Sequence, residues 1–372
     1  MQPVNPGRGS GTLPPVPQLP PPPTAPQTPA GWYPDPWGLT EWRWWDGWAW
    51  TPYVSGNAEK KPRLRGWLSW PVVIGLMLAL PITILIAAQT PIAIPLGFLP
   101  VVLVGPVLWW IDRVEPEPIQ HRVHAFLWGA TISGVVAGTI NSVVFALSSE
   151  TWAAVVSAPV SEEIMKTLGI VWALRRKEID GVMDGVVYAG WVALGFAVVE
   201  NFLYFSDAAD QDMLVEIVLA RGILTPFAHP LFTVWSGLAI GWAVARNSSV
   251  AIQLLWGLPL AIGLHAAWNG SLTLAEDNEI ILAVAIPAFV VLFLITAVGL
   301  LRFRRRETAK FLAQVPALSS RYRLSAEEIA IFGDWRTMLK TRRRLPRKQR
   351  QSFDQVHGNL ARLAALHNRP GP

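Results

Sequence analysis

The stretch AVVSAPVSEEIMKTLGIVWAL, Ala154–Leu174, is apolar almost throughout. At a rise of ~1.5 Å per residue it is long enough to cross ~30 Å of hydrocarbon. Yet Glu162, Glu163 and Lys166 stand in its middle. Unpaired charges at such a depth cost on the order of several kcal/mol each, so these groups must have partners. Glu162 and Lys166 are spaced i,i+4, and Glu163 and Lys166 i,i+3, so either carboxylate can reach the ammonium. The two glutamates point about 100° apart around the helix axis and therefore take different partners. One is held by the lysine while the other faces a cavity. That pattern belongs inside an all-α polytopic membrane protein.

The rest of the chain agrees with this class. Of 372 residues, 52% are hydrophobic and 15% charged, and there is no cysteine. Mean hydropathy is +0.33. Thiolate metal sites, thiol nucleophiles and disulfides are thereby excluded. No apolar run opens the chain, so no cleavable signal peptide is expected. Eight spans are predicted, at 67–88, 91–111, 123–147, 152–174, 183–205, 214–245, 250–273 and 280–301. The sixth is overlong and carries Arg221, Pro226 and Pro230, which predicts a kink or an interfacial start. Lys60, Lys61, Arg63, Arg65, Arg113, Arg122, Arg175, Arg176, Lys177, Arg246 and Arg302–Arg306 all fall on alternate loops. The loops between, QTP, SSET, SDAADQD and AEDNE, hold no Lys or Arg. An excess of basic residues marks the cytoplasmic side, so both termini are expected there.

Outside the spans, residues 1–30 contain eleven prolines and read as a disordered arm. Residues 31–54 hold seven tryptophans from Trp32 to Trp50 with turn signals at Pro34-Asp35-Pro36 and Asp46-Gly47. They predict a small β-hairpin unit stabilised by packed aromatic faces. This segment resembles a short Trp-rich domain of unknown function that precedes many bacterial membrane proteins. The match lies in Gly31–Pro36 and in Trp45-Asp46-Gly47 through Thr51. Residues 302–372 are basic. Ser325–Glu328 (SAEE) predicts a capping box, with helical stripes Phe332, Trp335, Leu339 and Phe353, Val356, Leu360, Leu363. This tail is expected to lie against the anionic inner leaflet. No nucleic-acid motif accompanies its charge, so no nucleic-acid partner is expected.

Further polar residues recur in the membrane domain, residues 67–301. Glu200 and Asn201 lie in GFAVVEN, His229 in FAHPLFT, and His265 and Asn269 in LHAAWNG. Counted from the basic end of each span, Glu163 is ~17 Å deep, Glu200 and His265 ~23 Å, and His229 ~25 Å. Carboxylates and imidazoles from four helices thus share one layer at or beyond the midplane. H-E-x-x-H and G-x-S-x-G are both absent. A carboxylate in a mostly dry cavity is basic enough to take a proton from water, and histidine and asparagine can donate to a developing oxyanion. This set suits peptide hydrolysis by activated water.

SEEIMK (Ser161–Lys166), GFAVVEN (Gly195–Asn201), HPLFT at His229 and HAAWN at His265 resemble, in order, four motifs of the PrsW family of intramembrane glutamic proteases. These are relatives of the CAAX prenyl proteases. DRVEPEP (Asp112–Pro118) resembles an acidic-proline loop common in such proteins. The resemblance covers residues 70–300. It implies an endopeptidase of the bacterial cell membrane that cuts membrane-anchored, single-pass substrates such as anti-sigma factors near the outer side. Lys166 stands where the CAAX branch usually has arginine, which argues against prenyl-protein substrates. The roles expected are Glu162 and Glu163 as candidate bases, with Glu163 preferred. Lys166 would tune their ionisation, Glu200 would orient water or a histidine, and His229, His265 and Asn269 would stabilise the oxyanion or shuttle protons. No cofactor is expected. The alternative is Zn²⁺ on Glu163, His229 and His265. A transporter and a non-catalytic scaffold are the alternative functions for the same polar cluster.

Overall fold

A computed structural model describes residues 31–34, 42–45, 50–55, 68–112, 117–278, 280–322, 326–345 and 353. The Pro-rich arm, the basic residues 60–65, Arg113, the capping-box Ser325 and Val356, Leu360 and Leu363 lie outside the described residues. The Trp-rich unit is a three-stranded antiparallel meander rather than a lone hairpin. Its strands are β1 (Gly31–Pro34), β2 (Trp42–Trp45) and β3 (Trp50–Ser55), in that order. Gly31 pairs with Trp45 and Trp45 with Trp50, with a register shift between Arg43 and Trp45. A two-stranded hairpin is marginal in water, and the third strand supplies a second paired edge around the buried Trp45.

The membrane domain is helical. α1 is Trp70–Gln89, and α2 (Ala93–Gly97) and α3 (Leu99–Asp112) form one rod. α4 (Ile119–Trp128) continues through a π-helical turn, Gly129–Ser133, into α5 (Gly134–Leu147). α6 (Glu150–Trp152), a second π turn at Ala153–Ser157 and α7 (Ala158–Arg175) form the next rod. α8 is Val182–Asp210. α9 (Leu214–Ile217) and a third π segment, Val218–Leu224, precede α10 (Ala228–Ala245). α11 (Val250–Ala275) and α12 (Ile280–Tyr322) follow, then α13 (Ala326–Phe332) and α14 (Trp335–Arg344).

Among the described residues, seven helices are long and apolar enough to cross a membrane. They correspond to all the expected spans but the fourth. The fourth is present as the rod Glu150–Arg175, but Glu162, Glu163 and Lys166 make it too charged to count by composition. The sixth breaks at Thr225–Phe227, beside Pro226, as its prolines predict. The last runs from Ile280 to Tyr322 without interruption, through the boundary expected at residue 301.

α8 is the axle of the bundle, with 83% of its most apolar window buried. Close backbone approach makes this packing work. A Cβ on Gly129 would come 1.8 Å from the Val192 carbonyl oxygen, and one on Gly195 would come 1.9 Å from that of Phe126. Those two glycines let α4 cross α8 backbone to backbone. Gly185 and Gly237 do the same between α8 and α10. Small residues at such crossings are how membrane helices gain van der Waals contact without a hydrophobic driving force. The result carries α7, α8, α10 and α11 to a common polar centre.

Candidate active site

Three charged groups come from α7. Lys166 Nζ donates to Glu163 Oε1 at 2.9 Å and to Glu162 Oε2 at 3.3 Å, so one ammonium meets both carboxylates. All three residues are buried, Glu163 and Lys166 completely. Nζ also lies 3.9 Å from the centroid of the Phe196 ring, whose face attracts a cation. Such a buried cluster is stable only if its remaining donors and acceptors are satisfied, and the neighbouring helices supply these.

α10 brings His229 and Thr233 to one face, four residues apart. The Thr233 hydroxyl donates to Glu163 Oε2 at 2.8 Å. Lys166 Nζ lies 3.1 Å from His229 Nδ1, and His229 Nε2 lies 2.6 Å from Glu200 Oε2 on α8. An ammonium can only donate, so Nδ1 accepts and Nε2 carries the hydrogen toward Glu200. Behind Glu200, Arg221 from the third π segment donates to the carboxylate at 2.5 Å and to Asn201 Oδ1 at 3.2 Å. Its guanidinium stacks over Tyr204 at 3.8 Å. Arg221, Glu200, His229 and Lys166 therefore form one continuous polar chain to the paired glutamates.

α11 contributes His265. Its Nδ1 is 3.1 Å from Glu163 Oε1 and its ring stacks on Phe232 at 4.8 Å. Nε2 is left 3.8 Å from Glu162 Oε2. That gap is too long for a direct hydrogen bond. Asn269, one turn further on, is not in hydrogen-bond contact with the carboxylates. Its amide donates to the Ala154 carbonyl at 2.8 Å, in the π turn that precedes α7. The widened turn frees carbonyls that a regular helix would use internally, and Asn269 ties α11 to one of them.

The two glutamates differ as their angular separation predicts. Both Glu163 oxygens are engaged, Oε1 by Lys166 and His265 and Oε2 by Thr233. Among the described residues, Glu162 has the longer bond to Lys166, a 3.5 Å contact from Asn141 Nδ2 and the 3.8 Å approach of His265. Asn141, on α5, is not among the residues that the sequence points to. Its Oδ1 accepts from the Ser157 and Ser161 hydroxyls at 2.7 and 3.1 Å. Thr233 is not among them either. The available signal for Asn141 was an amide set in the apolar run GTINSVVF. A lone threonine in an apolar helix carries no such signal, because it can satisfy itself on its own backbone.

A metal ion is a further use for these donors. One ligand atom each from Glu162, His229 and His265 lie within 4.8 Å of one another. Two histidines and a glutamate are a donor set used by catalytic zinc. A carboxylate behind a ligand imidazole fixes its orientation, and Glu163 stands so behind His265. The set fits a divalent ion by donor type and spacing. It differs from the expected set in using Glu162 in place of Glu163, and His229 would join it by giving up its Nδ1 contact with Lys166. Lys166 meanwhile supplies a positive charge against both Glu162 and His229.

Two family models match the chain. One, described as PrsW family intramembrane metalloprotease, matches residues 117–298. The other, a protein of unknown function (DUF2510), matches residues 30–63 and so takes in the Trp-rich unit. Among curated proteins, "Protease PrsW" of Clostridioides difficile is 30% identical over 37% of this chain and 61% of its own length. "Protease PrsW" of Geobacillus kaustophilus is 31% identical over 44% of this chain and 72% of its own length. That of Oceanobacillus iheyensis is 26% identical over 55% and 93%. The chain therefore spans less than two thirds of the first of these relatives. No solved structure matches.

Proposed function

The chain belongs to the PrsW protease family, and we propose that it is an intramembrane endopeptidase that cuts single-pass membrane proteins with glutamate-activated water. The observation that carries this reading is the buried cluster of Glu162, Glu163, Lys166, His229 and His265, drawn from three helices. Charge is this costly inside a membrane, and a purely structural role needs far less of it.

In this reading Glu162 is the general base, because its carboxylate is the less engaged of the pair. A water bridging Glu162 Oε2 and His265 Nε2 gives up a proton to Glu162 as it attacks the scissile carbonyl. Lys166 keeps the second carboxylate, Glu163, paired and fixed, and Glu163 orients His265. His229, held between Lys166 and Glu200, keeps the lysine in place, and Glu162 passes the proton it has taken to the leaving amine. Asn269 sets the spacing of α11 and α7. The Arg–Trp stacks at the basic ends of the helices, Arg176 on Trp172, Arg246 on Trp242 and Arg304 on Trp110, suit an interfacial belt. They support both termini facing the cytoplasm of a bacterial cell, with the basic tail against the anionic leaflet. The cluster then sits at or beyond the midplane. The scissile bond lies near the outer end of the substrate helix, as suits release of an anti-sigma factor.

A metal-dependent reading is favoured by the Glu162–His229–His265 set and the family description. The ion would be held by those three residues and would polarise a carbonyl or acidify bound water. Purified active protein settles the choice. Stoichiometric metal, lost together with activity on chelation and absent from His265→Ala, supports the metal. Full activity after chelation supports glutamate alone. For the endopeptidase itself, the products of a single-pass reporter are sequenced at the new termini. A cut in the outer half of the reporter's helix is expected. A cut on the cytoplasmic side overturns the placement of the site.

A further inference from the structure

α12 is the least buried of the seven apolar spans, with 6% of its window inside the protein. Near the polar cluster it docks through aromatic rings. Phe289 meets Phe232 and Trp268 at 6.0 and 4.7 Å, and Phe293 meets Phe227 at 5.1 Å. From Phe293 to Arg304 it shares a cavity of about 270 Å³ with α3, α8 and α10. The walls are apolar, with Leu108, Val186, Ala297 and Leu300 among them. A cavity of this character does not hold water, and in a bilayer hydrocarbon fills it. Eleven residues of helix rise separate Phe293 from Arg304, ~16 Å, which matches the ~15 Å of a single leaflet. The lining is charged only at one end. There Arg304 is buried, stacked over Trp110 at 4.2 Å, with Arg302, Arg305 and Arg306 exposed beside it.

We propose that this cavity is a binding site for one phospholipid, its acyl chain lying between α12 and the bundle and its anionic phosphate held at Arg304. Length, apolar walls and a basic end together select a lipid of the leaflet that the basic helix ends face. The site touches the proposed catalytic machinery indirectly. The same helix presents Phe289 to Phe232, which stacks on His265.

The test uses the full-length protein in detergent micelles, titrated with phosphatidylglycerol or phosphatidylcholine of identical acyl chains, and counts bound lipid by native mass spectrometry. Wild type is expected to hold one phosphatidylglycerol in preference to phosphatidylcholine. Arg304→Gln is expected to bind it roughly tenfold more weakly, about 1.4 kcal/mol, and to lose the preference. Ala297→Phe fills the cavity and is expected to lose both lipids. Equal retention of the two lipids by wild type, or unchanged binding by Arg304→Gln or by Ala297→Phe, overturns the proposal. The leaflet assignment rests on the orientation proposed above. Labelling single cysteines in this cysteine-free chain, Arg343→Cys and Glu276→Cys, reads orientation separately. Binding in micelles does not depend on it.

Discussion

α7 and α12 invert the rule that soluble proteins follow. α12 is apolar along its membrane span and only 6% buried there, so most of its side chains face outward. α7 carries two carboxylates and an ammonium, and these are among its most deeply buried groups. In a bilayer the outside is hydrocarbon, so apolarity marks lipid contact and charge marks the interior. Four changes sharpen or break this contrast, each measured as thermal unfolding or cleavage in micelles or vesicles.

The largest effect is expected at Lys166. Lys166→Met leaves Glu162 and Glu163 buried without their cation and is expected to cost about 3–5 kcal/mol. Adding Glu163→Gln to it should recover part of that loss. A single variant as stable as wild type would mean the cluster is wetter than its burial indicates. Next is Thr233→Val, a change of similar shape that strips Glu163 Oε2 of its donor. About 2 kcal/mol of stability should go, with the rate of cutting falling as His265 loosens. Third, Arg221→Gln unties Glu200 and through it His229. A roughly tenfold fall in kcat with KM unchanged is expected, about 1.4 kcal/mol. Rescue by Arg221→Lys would be partial, because only a guanidinium reaches both Glu200 and Asn201. Smallest is Leu294→Ala on the exposed face of α12, expected within about 0.5 kcal/mol of wild type. A loss of 2 kcal/mol or more there would show that this face is covered by another protein.

The contrast also explains what the sequence made legible. The spans follow from apolar runs of sufficient length, and Glu162, Glu163, Lys166, Glu200, His229 and His265 stand out because charge is costly in those runs. Their convergence was readable from depth alone. Which glutamate is the freer was not. That depends on the rotation of α7 against α10 and α11, which the glycine crossings along α8 set. The three π turns were invisible for a related reason: one extra residue per turn leaves no compositional mark. So the sequence does not reveal the coupling of Asn269 to the Ala154 carbonyl, and its spacing from His265 points instead to an oxyanion donor. In the Trp-rich unit the turn signals predict a hairpin, and the structure has three strands. The strand Trp50–Ser55 pairs with Trp42–Trp45 and helps cover the buried Trp45.

In the proposed mechanism Glu162 activates water while Glu163 holds the site together. The most direct measurement is the single-turnover rate of reporter cleavage in vesicles by wild type, Glu162→Gln and Glu163→Gln, each with its unfolding temperature. Glu162→Gln is expected to keep its stability and to lose roughly 10²–10⁴-fold in rate. Glu163→Gln should lose stability and only part of the rate. Wild-type cutting by a folded Glu162→Gln would contradict that mechanism.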